Sequence, residues 1–315
     1  MATGKRTGGH WAAQNADLEK SKKDRDKRSI LIDELIRKLA DIVWNTDEIL
    51  RFADSCGISQ DLLIPEIEKI KKHFFDDKEY IPVASVLIPF SDRIDSEKYN
   101  SIRDDLCGVL EEHPRLIEKL DARYFHDPVI AKVVLKRGFA MEYLPEYQDD
   151  DEMVRYALTQ DGSAIRFVNA RYLQDRDWVR LAIEHSTNST IMYYDCMEPY
   201  RKDKELVYLA CSLHRWNFVY VDESYHDDYE LAKIVLAPPG DLNNIFGHLS
   251  DRLKDDLSLA LLDAQGEYPN VKEYSERLRD SEEVADMLIK THGPDDWHFS
   301  DMSDRIKQKY DYKRN

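Results

Sequence analysis

The sequence predicts an all-α protein, an α-solenoid of about eight short helix pairs behind an N-terminal helical cap. Three observations predict it. First, an apolar triplet h-x-x-h-x-x-x-h returns eight times at a spacing of 23 to 28 residues: Ile117/Leu120/Tyr124, Ala140/Tyr143/Tyr147, Ile165/Val168/Tyr172, Tyr193/Cys196/Tyr200, Phe218/Val221/Tyr225, Phe246/Leu249/Leu253, Val271/Tyr274/Leu278 and Phe299/Met302/Ile306. Second, a helix-capping residue follows three positions after the last member, as Asp127, Asp150, Asp175, Asp203, Asp228, Asp256 and Ser281. Third, positions +3, +4, +7 and +8 from that cap are apolar, from Ile130/Ala131/Val134/Leu135 to Val284/Ala285/Leu288/Ile289. A unit with one apolar stripe cannot bury it alone, so stability must come from stacked neighbours and the product is a surface rather than a pocket.

In chain order, residues 1–28 read as a flexible basic tail, with eight Lys/Arg against four Asp/Glu. Trp11, Lys22, Lys23 and Arg25 are its candidate docking residues. Residues 29–98 read as a helical cap or as degenerate repeats. Ile36/Leu39/Val43 followed by Thr46, and Ile67/Ile70/Phe74 followed by Asp77, obey the repeat rule, whereas Pro65, Pro82 and Pro89 interrupt it. The stretch TDEILRFADSCGISQDLLIPEIEKIKKHF has the outline of a helix-turn-helix with Gly57 at the turn. Its second helix carries Pro65 and acidic residues, which do not suit a DNA-reading helix. Residues 99–310 are the solenoid, in which each triplet forms one face of a helix B and each cap opens a helix A; residues 311–315 are a tail.

One copy slips its register. Asp263 falls at position +7 after Asp256, so its helix A is expected to start from Asp255 instead. The recurrent Tyr that ends helix B is expected to pack between units with its hydroxyl at the edge. Cys196 and Cys211 sit at apolar repeat positions, and with Cys56 and Cys107 they form no C-x-x-C pair, so reduced thiols are expected.

The copy DDEMVRYALTQDGSAIRFV, preceded by HDPVIAKVVLKRGFAMEYL, resembles a short two-helix tandem repeat of unknown function whose consensus runs D-x-E-V-V-L-A-A-V-K-x-N-G-x-A-L-x-Y-A. The resemblance covers residues 126–235 well and continues loosely to about 306; Gly138 and Gly162 lack equivalents in the next two copies. It implies tandem arrays like those of bacterial, protist and giant-virus proteins, intracellular-pathogen effectors among them. It also implies that the repeat itself has no activity and no catalytic residue.

Hydrophobic residues make up 42% of the 315, too many for disorder, and charged residues 34%. The net charge is −17, so the chain after the basic tail holds −21. Such a body repels phosphates, so direct nucleic-acid binding is not expected and a protein partner with a basic surface is. No run is long and apolar enough to span a membrane, and residues 1–20 lack a secretion signal's apolar core. A cytoplasmic protein is expected, in the host cytosol if it is an effector.

In the later copies the extra residues fall in every second loop between helices A and B, at 185–190, 237–244 and 291–298. Aligned along one edge, these loops are the candidate contact surface, through Asn188, Asn243, Asn244, Asp295, Trp297 and His298. Asn188-Ser189-Thr190 has the form of a glycosylation sequon only. The pairs His126-Asp127 and His226-Asp227 resemble metal ligands but stand where the repeat already requires a capping acid. No H-E-x-x-H, G-x-S-x-G or phosphate-loop motif occurs, and neither catalytic residues nor a cofactor is expected. The sequence therefore reads as a non-enzymatic interaction scaffold or adaptor. Behind it stand an acidic mimic of nucleic acid that inhibits a DNA- or RNA-binding enzyme and, last, a metal-dependent hydrolase using the His-Asp pairs.

Overall fold

The computed structural model describes residues 45–77, 81–237, 244–293 and 297–310, with the side chains of 73–77 and 297 left aside. Every regular element among the described residues is helical. They form two compact units that divide between Val134 and Leu135.

The first unit holds the longest helices. Helix α1 (Thr46–Ser55) is capped by Asn45, whose side chain accepts from the Asp47 amide, rather than by Thr46. Gly57, in the left-handed region at φ 70°, turns the chain into α2 (Gln60–Asp77), so the helix-turn-helix outline is present. Pro65 lies in the second turn of α2 and does not end it. Helix α3 (Ser96–Glu112) buries Ile102, Leu106 and Leu110 and packs on the 3-10 segment Val83–Arg93 and on α4 (Pro128–Val134). Ile36, Leu39 and Val43 lie outside the described residues.

The second unit is a solenoid-like stack. Its helices A are α5 (Asp151–Gln160), α6 (Arg176–Glu184), α7 (Lys204–Leu213), α8 (Tyr229–Leu236), α9 (Leu257–Asp263) and α10 (Glu282–His292), and each contacts the next. Caps and faces are those the sequence dictates. Asp150, Asp203, Asp228, Asp256 and Ser281 each accept from the amide three residues on, and Asp175 from the amide two on. In the first unit Asp127 caps α4 through the Val129 amide. The apolar residues behind these caps are almost all buried, with Trp178 and Ile289 half-covered.

Helix B differs from expectation. Instead of one helix, the triplets span two short turns, separated in most copies by an extended residue. Val168 (φ −85°, ψ 165°), Leu249 (φ −67°, ψ 155°) and Tyr274 (φ −67°, ψ 152°) are examples. The residue just after the break is Asp121, Asn169, Asp222, Ser250, Ser275 or Ser303, and its side chain accepts from an amide two or three positions on. Such side chains offer the backbone an alternative to helix continuation, which cuts the segment in two.

This second cap also joins neighbouring copies. Its backbone amide donates to the copy before, as Asn169 to Gln148 O (2.8 Å), Asp222 to Arg201 O (3.0 Å), Ser250 to His226 O (2.9 Å), Ser275 to Lys254 O (3.2 Å) and Ser303 to Arg279 O (2.9 Å). Two residues further on, Arg171, Arg252, Arg277 and Arg305 reach back to Asp149, Asp227, Asp255 and Asp280. Each of these arginines also donates to the backbone carbonyl of the aspartate it grips. At one junction the charges are exchanged, and Lys202 pairs with Asp222 at 3.3 Å.

The slipped copy keeps its register: α9 is capped by Asp256, not Asp255, and Asp263 at position +7 is buried. Its carboxylate ends α9 early by accepting from the Asn270 amide and the Tyr274 hydroxyl, both at 2.7 Å. The connection over 264–270 is long as a result, so long loops do not simply alternate.

Candidate functional site

The fourth copy breaks the repeat. Its first turn, Ile191–Tyr193, is followed by extended Tyr194 and a second 3-10 turn, Asp195–Tyr200, so a single residue separates the turns where the third copy has two and the fifth three. The buried residues are therefore Ile191, Met192 and Met197, and Tyr193, assigned to the core by the triplet, is turned outward and 59% exposed. The first members of the other triplets, Ile117, Ala140, Ile165, Phe218, Phe246, Val271 and Phe299, are all buried. Cys196 is half-buried, and burial pushes its thiol pKa up.

Several groups hold this departure in place. The buried Asn217 accepts from the Met192 amide at 2.9 Å. Arg201 donates from Nε to Met192 O (3.0 Å) and from Nη2 to Tyr193 O (3.1 Å). Tyr193 packs T-shaped on Tyr220, with centroids 5.1 Å apart. The Arg166 guanidinium stacks 4.6 Å from the Tyr194 ring centre and 4.9 Å from that of Phe167. Arg166, Tyr193, Tyr194, Asp195 and Cys196 line an open groove of about 370 Å³.

Of the described loop residues expected to make contacts, only Asn188 joins this groove. It does so by support: Nδ2 donates to the Tyr194 hydroxyl (2.7 Å), and Oδ1 accepts from the Thr190 amide (3.0 Å) and hydroxyl (2.9 Å). Asn244 is exposed and accepts from the Gly247 amide at another junction. His298 is buried, 5.7 Å from the His292 ring, because it opens the turn whose Phe299 enters the core; it is not presented on a loop. Trp297 begins that turn, its side chain outside the described residues, as are Trp11, Lys22, Lys23, Arg25, Asn243 and Asp295.

No family model, curated protein or solved structure matches this chain.

The His-Asp pairs have different tasks. Asp127 caps α4 with one oxygen and accepts from the Tyr99 hydroxyl with the other, at 2.7 Å. Burial, then the bond to Asp127, raises the Tyr99 pKa well above its ordinary value, so the hydroxyl stays a donor. The pair lines a cavity of about 300 Å³ with Ile88, Pro89, Ser91, Arg123 and Pro128. Asp227 is not the cap, a task that falls to Asp228. It receives Ser250 and Arg252, which hold its carboxyl below the usual range. Among the described residues no three His, Cys, Asp or Glu side chains converge as a metal-ligand set.

The recurrent tyrosines reach between copies as expected. The Tyr172 hydroxyl donates to Asp151, that of Tyr200 to Leu173 O and that of Tyr225 to Lys202 O. Sequence reasoning missed the second cap and its arginine, although the pattern [S/N]-x-R directly after the middle apolar residue recurs at Asn169, Ser250, Ser275 and Ser303.

Proposed function

We propose that this chain is a non-enzymatic protein-interaction scaffold whose contact surface is the tyrosine groove of the fourth copy. The observation that carries the reading is the outward turn of Tyr193, 59% exposed in a register that neighbouring copies keep buried. Tyr and Arg are the residues that dominate protein contact surfaces, since they present large, stiff, amphipathic area. Here they stand on a frame braced by Asn188, Asn217 and Arg201. Resemblance to a repeat without activity of its own supports the same reading. The acidic-mimic reading is less well supported, because Asp149, Asp227, Asp255 and Asp280 are already paired with arginines and cannot serve as a free phosphate-like row.

The test is affinity capture from native lysate with the full chain beside a Tyr193→Ser/Arg166→Ser variant, quantified by mass spectrometry. A stoichiometric protein should be captured by the wild type and depleted about tenfold on the variant, with helical content and melting temperature unchanged. Equal recovery on both would place contact elsewhere; no stoichiometric protein on either would remove the scaffold reading.

A further inference from the structure

We infer that the groove receives a cationic side chain, arginine above all, from an extended basic segment of the partner. This rests on the groove being the contact surface, and it adds the chemistry of what enters it. In the second unit most exposed or edge tyrosines with a nearby cation take it from this chain itself. Arg166 lies over Tyr194 (4.6 Å), Arg171 over Tyr172 (4.3 Å), Lys204 over Tyr208 (5.4 Å) and Lys233 over Tyr229 (5.5 Å). Tyr193 is the most exposed tyrosine of the described residues, and none of these cations covers it. Its T-shaped packing on Tyr220 fixes the ring without hiding it. A tyrosine face attracts a cation through its quadrupole, and a carboxylate beside it adds direct charge attraction.

One carboxylate stands there. Asp195 lines the groove, is exposed and has no ion pair among the described residues; Glu198, also exposed, lies further along the same short turn. Elsewhere in the stack the junction acids are matched by arginines. The local cations are already engaged: Arg166 is stacked on Tyr194 and Phe167, and Arg201 is spent on the carbonyls of Met192 and Tyr193. At long range the chain's net charge of −17 attracts a basic segment and repels an acidic one.

The experiment is a fluorescence-anisotropy titration of the full chain with a labelled Arg-Gly repeat peptide and its Glu-Gly counterpart. The Arg-Gly probe should bind, weaken about fivefold with Tyr193→Ala and with Asp195→Asn, and be retained by Tyr193→Phe, which keeps the ring. Glu283→Gln, which removes an exposed carboxylate in a remote copy, should leave binding unchanged. Equal weakening by Glu283→Gln and Asp195→Asn would reduce the effect to diffuse attraction and overturn the proposal. So would preference for the Glu-Gly probe lost with Arg166→Ala, which would make the partner acidic. Partner capture that depends on Tyr193 while the Arg-Gly probe fails to bind would leave the contact surface standing and remove only its cationic occupant.

Discussion

Asp263 is a carboxylate at a position where the other helices A carry an apolar residue, and its surroundings set its chemistry. Burial pushes its pKa up to about 6, against the bonds from the Asn270 amide and the Tyr274 hydroxyl, which favour the ionised form. Because the folded value lies above the unfolded one, the group's stabilisation is full below about pH 4 and is lost as pH rises through about 6. Asp263→Asn keeps an oxygen for both donors and cannot ionise. Relative to the wild type, the variant should gain on the order of 2–3 kcal/mol between pH 4 and pH 7, read from urea unfolding at the two pH values. A difference independent of pH would mean that Asp263 does not titrate in this window. The residue stood out in the sequence as a break in the apolar pattern. Its effect did not, because shortening α9 depends on donors seven and eleven positions away.

Between elements, close approach and paired charges set the stack. A Cβ on Gly162 would lie 1.8 Å from the backbone oxygen of Ala182 on α6, and the Gly162 amide donates to His185 O at 2.9 Å. Gly162→Ala should therefore destabilise the protein by about 1–3 kcal/mol in chemical denaturation, since backbone atoms must move to admit the methyl. The arginine staples allow a second test. Asp255→Lys faces Arg277 with a like charge and should lower the melting temperature, whereas Asp255→Lys/Ser275→Asp/Arg277→Ser reproduces the exchanged pair of Lys202 and Asp222 and should recover it. A triple variant no better than the single one would show that the junctions are not interchangeable. The staples were open to inspection in the sequence as [S/N]-x-R, but a one-helix reading of each triplet does not say which residue that Arg meets.

For the second unit as a whole, contacts between nearest neighbours make stability close to a sum of copies and interfaces. Truncation after Asp280 removes α10 and the last copy and should leave the remaining helices folded, with a melting temperature lowered in proportion. Loss of all helical signal in circular dichroism would instead mean that the stack folds as a single cooperative block. No helix among the described residues is long and apolar enough to cross a membrane.

Periodicity, caps and helical faces were determined by the sequence itself, because they follow from local rules. A 3.6-residue period defines a face, and an Asp or Ser before it satisfies free amides. Hence Asp127, Asp150, Asp175, Asp203, Asp228 and Ser281 hold the amides expected of them, and Asp256 caps where Asp255 was expected. The breaking of helix B has a local and a tertiary part: an Asp, Asn or Ser side chain caps the second turn, which the sequence encodes, and the same residue's amide bonds to the neighbouring copy, which only the stack supplies. Tertiary structure alone turned Tyr193 outward: Met192 can fill the core in its place only because Asn217, 25 residues on, receives the Met192 amide. A pattern along the chain records which residues can be buried, while the neighbour across the stack selects which of them is.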